Sequence, residues 1–275
     1  MRPSMWSSYL IELSPEKMVE VFSERGWKYS ELSDEHGWML LKRGPAEREG
    51  GKFRKFASGR GFSFPQGHFY LRADIAEESM AERAKVLDSL KKWCDLFSAL
   101  GVEAGVLHPG IMRRYRKKST RERALSRVKE TLGELLEYSA GASFTICLEN
   151  LIREFNTLEE LQGLINSTGG RLGICLDTGH LNMNGGDCAE FAEKAGSRLK
   201  ALHVTDSIGA GDDHILPFGA GTVDWEKFVE SLKRTGYSGL FNFEVPRENR
   251  CPMEIRLKKL DYAKGLAEEM LGAWE

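Results

Sequence analysis

Most of the histidines in this 275-residue sequence lie at or just after the end of a short apolar run. The chain has six histidines, and five of them occupy such positions: His68, His108, His180, His203 and His214. Three carboxylates likewise close apolar runs, and these are Glu149, Asp177 and Glu244. Imidazole and carboxylate together form a ligand set that suits Zn²⁺, Mn²⁺ or Fe²⁺ rather than Ca²⁺. These residue types therefore indicate a divalent-metal site.

Each of these residues also has an ordinary structural interpretation. A histidine at a strand end is more often a hydrogen-bonded rim residue than a ligand, and a carboxylate there often caps the next helix. These structural explanations would have to apply independently to each residue, whereas a single metal site explains all of the positions together. Three carboxylates gathered in one interior would repel one another and take up protons unless cations compensated them. A divalent cation is the natural compensation.

The elements that must position these residues follow a simple alternation. Eight short apolar runs alternate with longer amphipathic segments, and the runs cover residues 4–10, 27–33, 61–69, 102–108, 143–149, 172–177, 199–204 and 240–245. Alternating strands and helices favour a parallel sheet covered on both faces. An open doubly wound sheet fits the same alternation, but eight strands favour a closed barrel. We therefore predict a single α/β domain over residues 1–275, a (β/α)₈ TIM barrel, whose carboxyl-terminal strand ends form the reactive face.

The second strand-and-helix unit is the weakest part of this pattern. Residues 36–59 contain Pro45 and several glycines, so we predict that the helix there is broken. His36, which follows the second run, is the one histidine that the pattern does not bring to the predicted site.

The overall composition places limits on the function. The formal net charge is −2, so the chain as a whole is not a polyanion binder by composition, although a local basic patch remains compatible with it. The five cysteines form no CxxC motif, and Cys147 and Cys175 lie inside apolar runs typical of a core. No signal-like apolar segment or membrane span is recognisable, so we expect a reducing cytoplasm and no membrane partner.

Several segments resemble a known superfamily. They are LEN (148–150), LDTGHLNMNGG (176–186), LHVTD (202–206), DDHILPFGAGTVDW (212–225) and FEV (243–245). Together they resemble the xylose isomerase-like TIM barrels, which include sugar phosphate isomerases and epimerases and apurinic endonucleases of the endonuclease IV type. The resemblance runs from about the third strand to the last.

The resemblance implies a set of ligands. Glu149, Asp177, His203 and Glu244 match the four-ligand metal centre of the isomerases and epimerases. The additional residues His68, His108, His180, Asp212 and His214 match ligands of a three-zinc cluster in the endonucleases. Asp206 and Asp213 compete with Asp212 for its place. The resemblance thus implies one to three ions, Zn²⁺ or Mn²⁺. Alternatively, His68, His108 and His180 contact substrate hydroxyls or phosphate.

The favoured function is a metal-dependent isomerase or epimerase acting on a small sugar or sugar phosphate. Under this interpretation the metal stabilises an enediolate, while Glu149 and Glu244 remove and return a proton from opposite sides. His180 would hold a substrate hydroxyl. Ketose 3-epimerases of the superfamily carry an arginine where this chain has His214, which weakens the case for a free ketohexose. The sequence is also compatible with a homo-oligomer.

The rival function is phosphodiester cleavage by an endonuclease IV-like zinc enzyme, with nucleic acid as partner. Its support is the run 112–129, which has nine basic residues and one acidic residue, together with a second basic stretch over 42–60. The plainer interpretation of both is a solvated helix face. The negative net charge, the lack of interleaved aromatics except Tyr115 and the absence of recognisable DNA-penetrating loops count against DNA. A third possibility, a non-catalytic sugar-binding barrel, is disfavoured, because Glu149 and Glu244 would then have no role beyond binding a metal.

Overall fold

Strands and helices alternate along the whole chain. The computed structural model describes residues 1–115, 117–209, 211–246 and 251–272. The strands are β1 (Arg2–Trp6), β2 (Tyr29–Leu32), β3 (Ser63–His68), β4 (Ala104–Leu107), β5 (Thr145–Glu149), β6 (Gly173–Asp177), β7 (Leu199–His203) and β8 (Leu240–Phe243). The α-helices are α1 (Pro15–Glu24), α2 (Asp34–Leu41), α3 (Ala46–Ser58), α4 (Met80–Leu100), α5 (Lys118–Tyr138), α6 (Leu158–Ser167), α7 (Thr178–Met183), α8 (Cys188–Ala195), α9 (Trp225–Thr235) and α10 (Met253–Gly272).

The eight strands form one parallel sheet that curls into a barrel. From β1 to β7 each strand pairs with the next one along the chain, and β8 pairs with β1 through partners such as Arg2 and Leu240. The gap between β7 and β8 is bridged just beyond β7, where Val204 donates to the carbonyl of Asn242 at 2.7 Å and accepts from the amide of Glu244 at 3.2 Å. The (β/α)₈ barrel predicted from the alternation is therefore confirmed.

The structure corrects the predicted end of the first strand and defines the predicted break in the second helix. The first strand begins at Arg2 and ends at Trp6, and the rest of the predicted run, Ser7–Leu10, forms a 3₁₀ turn instead of continuing it. The turn places Tyr9 in the core, where its hydroxyl donates to the carbonyl of Arg256. The predicted break in the second unit is confirmed, since α2 ends at Leu41 and α3 starts after Pro45.

The core has two parts with different sizes of side chain. Large apolar residues fill the layer between the helices and the outside of the barrel. Inside the barrel lies a separate cluster of small residues, Ala104, Val106, Cys147, Cys175 and Ala201. Cys147 and Cys175 are therefore core residues, as expected from their apolar runs. Among the described helices, none has the length and apolar character needed to cross a membrane.

His36 lies outside the barrel mouth and is held as a structural residue. Its ring is fully buried, with Nε2 donating to the carbonyl of Leu13 at 3.2 Å and Nδ1 lying 3.0 Å from the hydroxyl of Ser7. Burial disfavours the charged imidazolium and lowers the pKa of His36 to about 4. The folded protein therefore keeps this ring neutral at pH values where an unfolded chain would protonate it.

This difference predicts a specific loss of stability in acid. Because the pKa of His36 is lowered in the folded state, its contribution is complete above the unfolded pKa of about 6.5 and is lost as the pH falls towards 4. The free energy of unfolding should fall by up to about 3 kcal/mol from this residue over that window. Urea denaturation of chelator-treated protein between pH 4 and 7.5 measures the slope. The slope of the free energy of unfolding against pH reports how many protons the unfolded chain binds beyond the folded protein, and His36→Gln should lower this number by close to one. An unchanged slope in that variant would show that His36 does not titrate in this way.

Candidate metal centre

The carboxyl-terminal ends of the strands gather the predicted residues at one mouth of the barrel. Four of them end or directly follow strands β5 to β8, and these are Glu149, Asp177, His203 and Glu244. His68 ends β3, and His108 follows β4. The other three come from α7 and from the loop after β7: His180, Asp212 and His214. Parallel pairing sets this convergence, since Asp177 and His203 are direct partners across β6 and β7.

Glu149 lies at the centre of this group. Its Oε2 atom is 3.2 Å from Nε2 of His68 and 3.2 Å from Nε2 of His108. Its Oε1 atom is 3.2 Å from Nδ1 of His203 and 3.5 Å from Nδ1 of His180. The carboxylate is almost fully buried. Both of its oxygens therefore face imidazole nitrogens, an arrangement suited to a carboxylate that bridges two ions.

The deepest donor group consists of four buried residues. One ligand atom from each of Glu149, Asp177, His203 and Glu244 lies within 4.8 Å of all the others. Asp177 Oδ2, His203 Nδ1 and Glu244 Oε2 are buried and have no hydrogen-bond partner. Buried polar atoms are rarely left unsatisfied, so these atoms fit a cation placed between them.

Two further donor groups flank the first. One comprises His68, Glu149 and His203, with His108 beside it. The other comprises Asp177, His180 and His214. Asp212 joins this last group, because its Oδ1 atom is 2.8 Å from Nε2 of His214 and 3.4 Å from Nε2 of His180. The nine residues thus form three adjoining groups that could each hold an ion.

Fixed acceptors orient four of the histidine rings. In three rings Nδ1 lies next to a backbone carbonyl, which can only accept a hydrogen bond, so in the neutral ring Nδ1 carries the proton and Nε2 has the free lone pair. The distances are 2.7 Å from His68 to the carbonyl of Phe69, 2.9 Å from His180 to that of Asn150 and 2.9 Å from His214 to that of Glu244. In His203 the roles are reversed, and Nε2 lies 3.1 Å from the carboxylate of Glu31. Such outer hydrogen bonds are typical of metal-ligating histidines.

The electrostatics of the cluster favour positive charge. Burial opposes protonation of His68, but the hydrogen bond and charge of Glu149 outweigh it and raise the pKa of His68 to about 9. Burial is likewise outweighed at His180 by the charge of Asp177, and at His214 by that of Glu244, so that both pKa values rise to about 10.

The other titratable groups show which forces compete at the mouth. At His108 burial dominates and lowers the pKa in spite of Glu149. Burial alone would raise the pKa of Glu149, but the neighbouring histidines lower it well below its usual value, whereas at Glu244 burial dominates and raises the pKa to about 8. Hydrogen bonds from His180 and His214 lower the pKa of Asp212. Protons on these groups therefore supply positive charge at the mouth, which is the charge that a divalent cation could also supply.

A family model described as a xylose isomerase-like TIM barrel matches residues 19–270. The chain belongs to this family. A probable endonuclease 4 of Mesomycoplasma hyopneumoniae is 28% identical over 171 residues, which cover 56% of this chain and 58% of that protein. A ketose 3-epimerase of Arthrobacter globiformis is 27% identical over 178 residues, covering 62% and 59%. The chain spans about half to two thirds of the length of the curated relatives it matches.

Solved structures agree with the fold. A putative xylose isomerase from Rhodospirillum rubrum superposes with a TM-score of 0.84 at 15% sequence identity, covering 100% of this chain and 99% of the other. At this level of identity the likeness establishes the barrel and not the reaction.

The loop after β7 is anchored by Asp206. One oxygen of this buried carboxylate accepts from the amides of Ser207, Thr222 and Val223, and the other accepts from the indole of Trp225 at 2.7 Å. The side chain is therefore fully used in holding both ends of the loop that carries Asp212 and His214. Asp213 accepts from the amide of Ile208 at 3.0 Å. Of the three competing aspartates, only Asp212 faces the histidines.

Sequence reasoning missed two residues that shape the site. Glu31 is fully buried in β2 and faces His203, yet it does not close an apolar run. Its signal was a charged residue inside a short predicted barrel strand. Asn150 exchanges hydrogen bonds with the backbone of Asp177 and receives the ring proton of His180, so its side chain and carbonyl join β5 to β6. The sequence showed Asn150 only as part of LEN.

The anchoring role of Asp206 predicts the behaviour of Asp206→Asn. An amide group in this position places N–H groups against the backbone or indole N–H donors that the carboxylate now satisfies. The amides of Thr222 and Val223 should therefore exchange with solvent at least about 10-fold faster in hydrogen-exchange measurements. Asp224→Asn is the matched control. Asp224 caps α9 by accepting from the amide of Lys227, whereas the amides of Thr222 and Val223 donate to Asp206. Equal exchange in Asp206→Asn and the unmodified protein would refute the anchor.

Proposed function

We propose that the barrel mouth binds a cluster of divalent cations and hydrolyses a phosphate ester. The observation that carries the proposal is the enclosure of Glu149, whose two oxygens lie 3.2–3.5 Å from four imidazole nitrogens. A carboxylate that removes a proton from a substrate carbon needs an oxygen turned towards that carbon. Glu149 has both oxygens turned towards histidines. This geometry suits a bridging ligand better than a catalytic base.

The proposed ligands fall into three sets, and Glu149 is shared by the first two. The first is His68, His108 and Glu149, the second Glu149, Asp177, His203 and Glu244, and the third His180, Asp212 and His214. Nitrogen and carboxylate donors in these numbers suit Zn²⁺ or Mn²⁺. Such ions supply a water molecule activated at neutral pH and charge stabilisation for a phosphoryl group.

The number of buried charges bears on how many ions the mouth would hold. The four proposed ligand carboxylates and Glu31 bring five negative charges to the mouth. One divalent cation would leave the rest of this charge to be balanced by protonated His68, His180 and His214, whose raised pKa values allow it. Three divalent cations would outnumber the carboxylates by one charge, and an anionic substrate would be attracted.

The open side of the cluster lies at His108 and Asp212, whose side chains are 26% and 54% exposed. We infer that substrate approaches from there, while Glu149 and Asp177 form the floor. Part of the basic run is committed elsewhere, since Arg114 pairs with Asp74 at 3.0 Å. Exposed lysines just before and at the start of α5, Lys117 and Lys118, remain on the rim after β4 and could contact a phosphate.

The proposal predicts the metal content of the protein and of a bridging-ligand variant. Protein loaded with Zn²⁺ or Mn²⁺ should hold about three ions, as the three ligand sets provide for. Glu149→Gln should keep at most the ion on His180, Asp212 and His214, and hydrolysis of bis(4-nitrophenyl) phosphate should fall at least about 100-fold. Elemental analysis and release of 4-nitrophenol measure the two effects.

Glu103→Gln is the control for this experiment. Glu103 pairs with Arg2 at 2.7 Å at the other end of the barrel, so its substitution should change neither metal content nor rate. An abasic-site oligonucleotide and a panel of small sugar phosphates then separate the two sources of a phosphate ester. Failure of the metal-loaded protein to hydrolyse any of these substrates would contradict the proposal.

A second candidate is isomerisation or epimerisation of a sugar, as the sequence alone favoured. Its supporting observation is that Glu149 Oε1 and Glu244 Oε2 both lie beside Nδ1 of His203, at 3.2 and 3.3 Å. One cation on the four deepest residues would then polarise a carbonyl group. Under this candidate, Glu149 and Glu244 would exchange protons with the substrate, and His68, His108 and His180 would contact its hydroxyls. The relative named as a ketose 3-epimerase is consistent with it.

Proton exchange distinguishes the two candidates. If the site is a phosphate ester hydrolase, ketoses incubated with metal-loaded protein in D₂O should gain no carbon-bound deuterium. Mass spectrometry and proton NMR of the recovered sugars measure this. Deuterium incorporation by the unmodified metal-loaded protein would establish the second candidate instead, because carbon-bound exchange requires a group that removes a proton from the substrate carbon.

A further inference from the structure

Glu31 is a fully buried carboxylate inside the barrel, below the proposed metal ligands. Both of its oxygens lie 3.1 Å from Nε2 of His203. Its Oε2 atom also accepts from the amide of Asn242 at 2.6 Å. Burial of a carboxylate is costly unless its partners are well placed, and the interior of a barrel is normally filled with apolar side chains. A charge in this position therefore calls for a role.

The hydrogen bonds around the other rings show what is particular about His203. His68, His180 and His214 are each held by a neutral backbone carbonyl. Among these four oriented rings, only His203 has a carboxylate as its outer partner. An anionic acceptor makes an imidazole more electron-rich than a carbonyl does, and it fixes the ring more strongly.

The partners of Glu31 form a chain across three strands. Ser4 of β1 donates to Oδ1 of Asn242 at 2.8 Å, and Asn242 of β8 in turn donates to Glu31 of β2. An ionised carboxylate can only accept a hydrogen bond, so Glu31 itself places the proton of His203 on Nε2. Nδ1 then presents its lone pair to the space between Glu149 and Glu244, where it has no hydrogen-bond partner.

We propose that Glu31 is a positioning residue for the cation bound by His203. It holds the ring so that Nδ1 points at the ion, and its charge strengthens the bond that His203 makes. The inference rests on the proposed metal cluster but not on the reaction that the cluster catalyses. Glu31 itself touches neither the ion nor the substrate.

The test is a double-mutant cycle on metal affinity. Glu31→Gln keeps the shape and an acceptor oxygen but removes the charge, and the stepwise dissociation constants for Zn²⁺ are measured by competition with a chromophoric chelator. We expect the affinity of one site to fall by about 10-fold or more, as for other outer partners of ligating histidines. In a His203→Asn background the same substitution should change affinity by less than about twofold, because Glu31 then has no ligand to act through.

Ser4→Ala provides a matched control from the same buried chain. It removes the hydrogen bond to Asn242 without touching Glu31 or His203. We expect it to lower the thermal midpoint of the metal-free protein and to leave Zn²⁺ affinity unchanged. If His203→Asn does not fold, the comparison of Ser4→Ala with Glu31→Gln decides the question, because general destabilisation would weaken zinc binding in both.

The outcomes separate the inference from the proposed function. Glu31→Gln with unchanged Zn²⁺ affinity, or with an equal loss in both backgrounds, would overturn the positioning role. Unmodified protein that binds no Zn²⁺, Mn²⁺ or Co²⁺ would instead overturn the metal cluster itself, before any substitution is made. A loss confined to the background with His203 supports the inference.

Discussion

The need to balance buried negative charge governs the carboxyl-terminal face of this barrel. Glu149, Asp177 and Glu244 are almost fully buried within reach of one another, and Asp212 closes the group from the loop side. Such a group is stable only if positive charge enters with it, because neither burial nor mutual repulsion favours the ionised forms. The raised pKa values of the surrounding histidines are the expression of that need in the metal-free protein.

The barrel positions the histidines that balance this negative charge with few additional side chains. Parallel strands bring residues from distant parts of the sequence to one level, and the carbonyls at strand ends orient His68 and His180 at no cost in extra side chains. At His203, in the interior, the outer partner is the carboxylate of Glu31 instead. Asp206 performs the corresponding task for the loop that carries His214, by binding the two ends of that loop together. The geometry of this group thus depends on hydrogen bonds to surrounding residues as well as on the nine residues themselves.

The family includes proteins named for different reactions, and the relatives of this chain include an endonuclease 4 and a ketose 3-epimerase. One scaffold can support different kinds of chemistry because the reaction depends on the residues of the site and not on the fold. In this chain His68 and His108 lie beside Glu149, and Asp212 lies beside His214, and these contacts are the basis of the proposed cluster.

The sequence by itself determined the eight-stranded alternation, the break before Pro45 and the histidines and carboxylates at the strand ends, because strand ends and apolar runs are local signals. Asp212 was predicted only from the resemblance of residues 212–225 to the superfamily. Local signals do not fix where an element ends. The first predicted run, for example, did not reveal that the strand stops at Trp6. Only the tertiary structure decided that both oxygens of Glu149 face histidines, that Asp212 rather than Asp206 joins them, and that Glu31 lies beneath His203. These facts depend on side-chain directions and on pairs separated by up to 172 positions, which residue type and spacing do not encode.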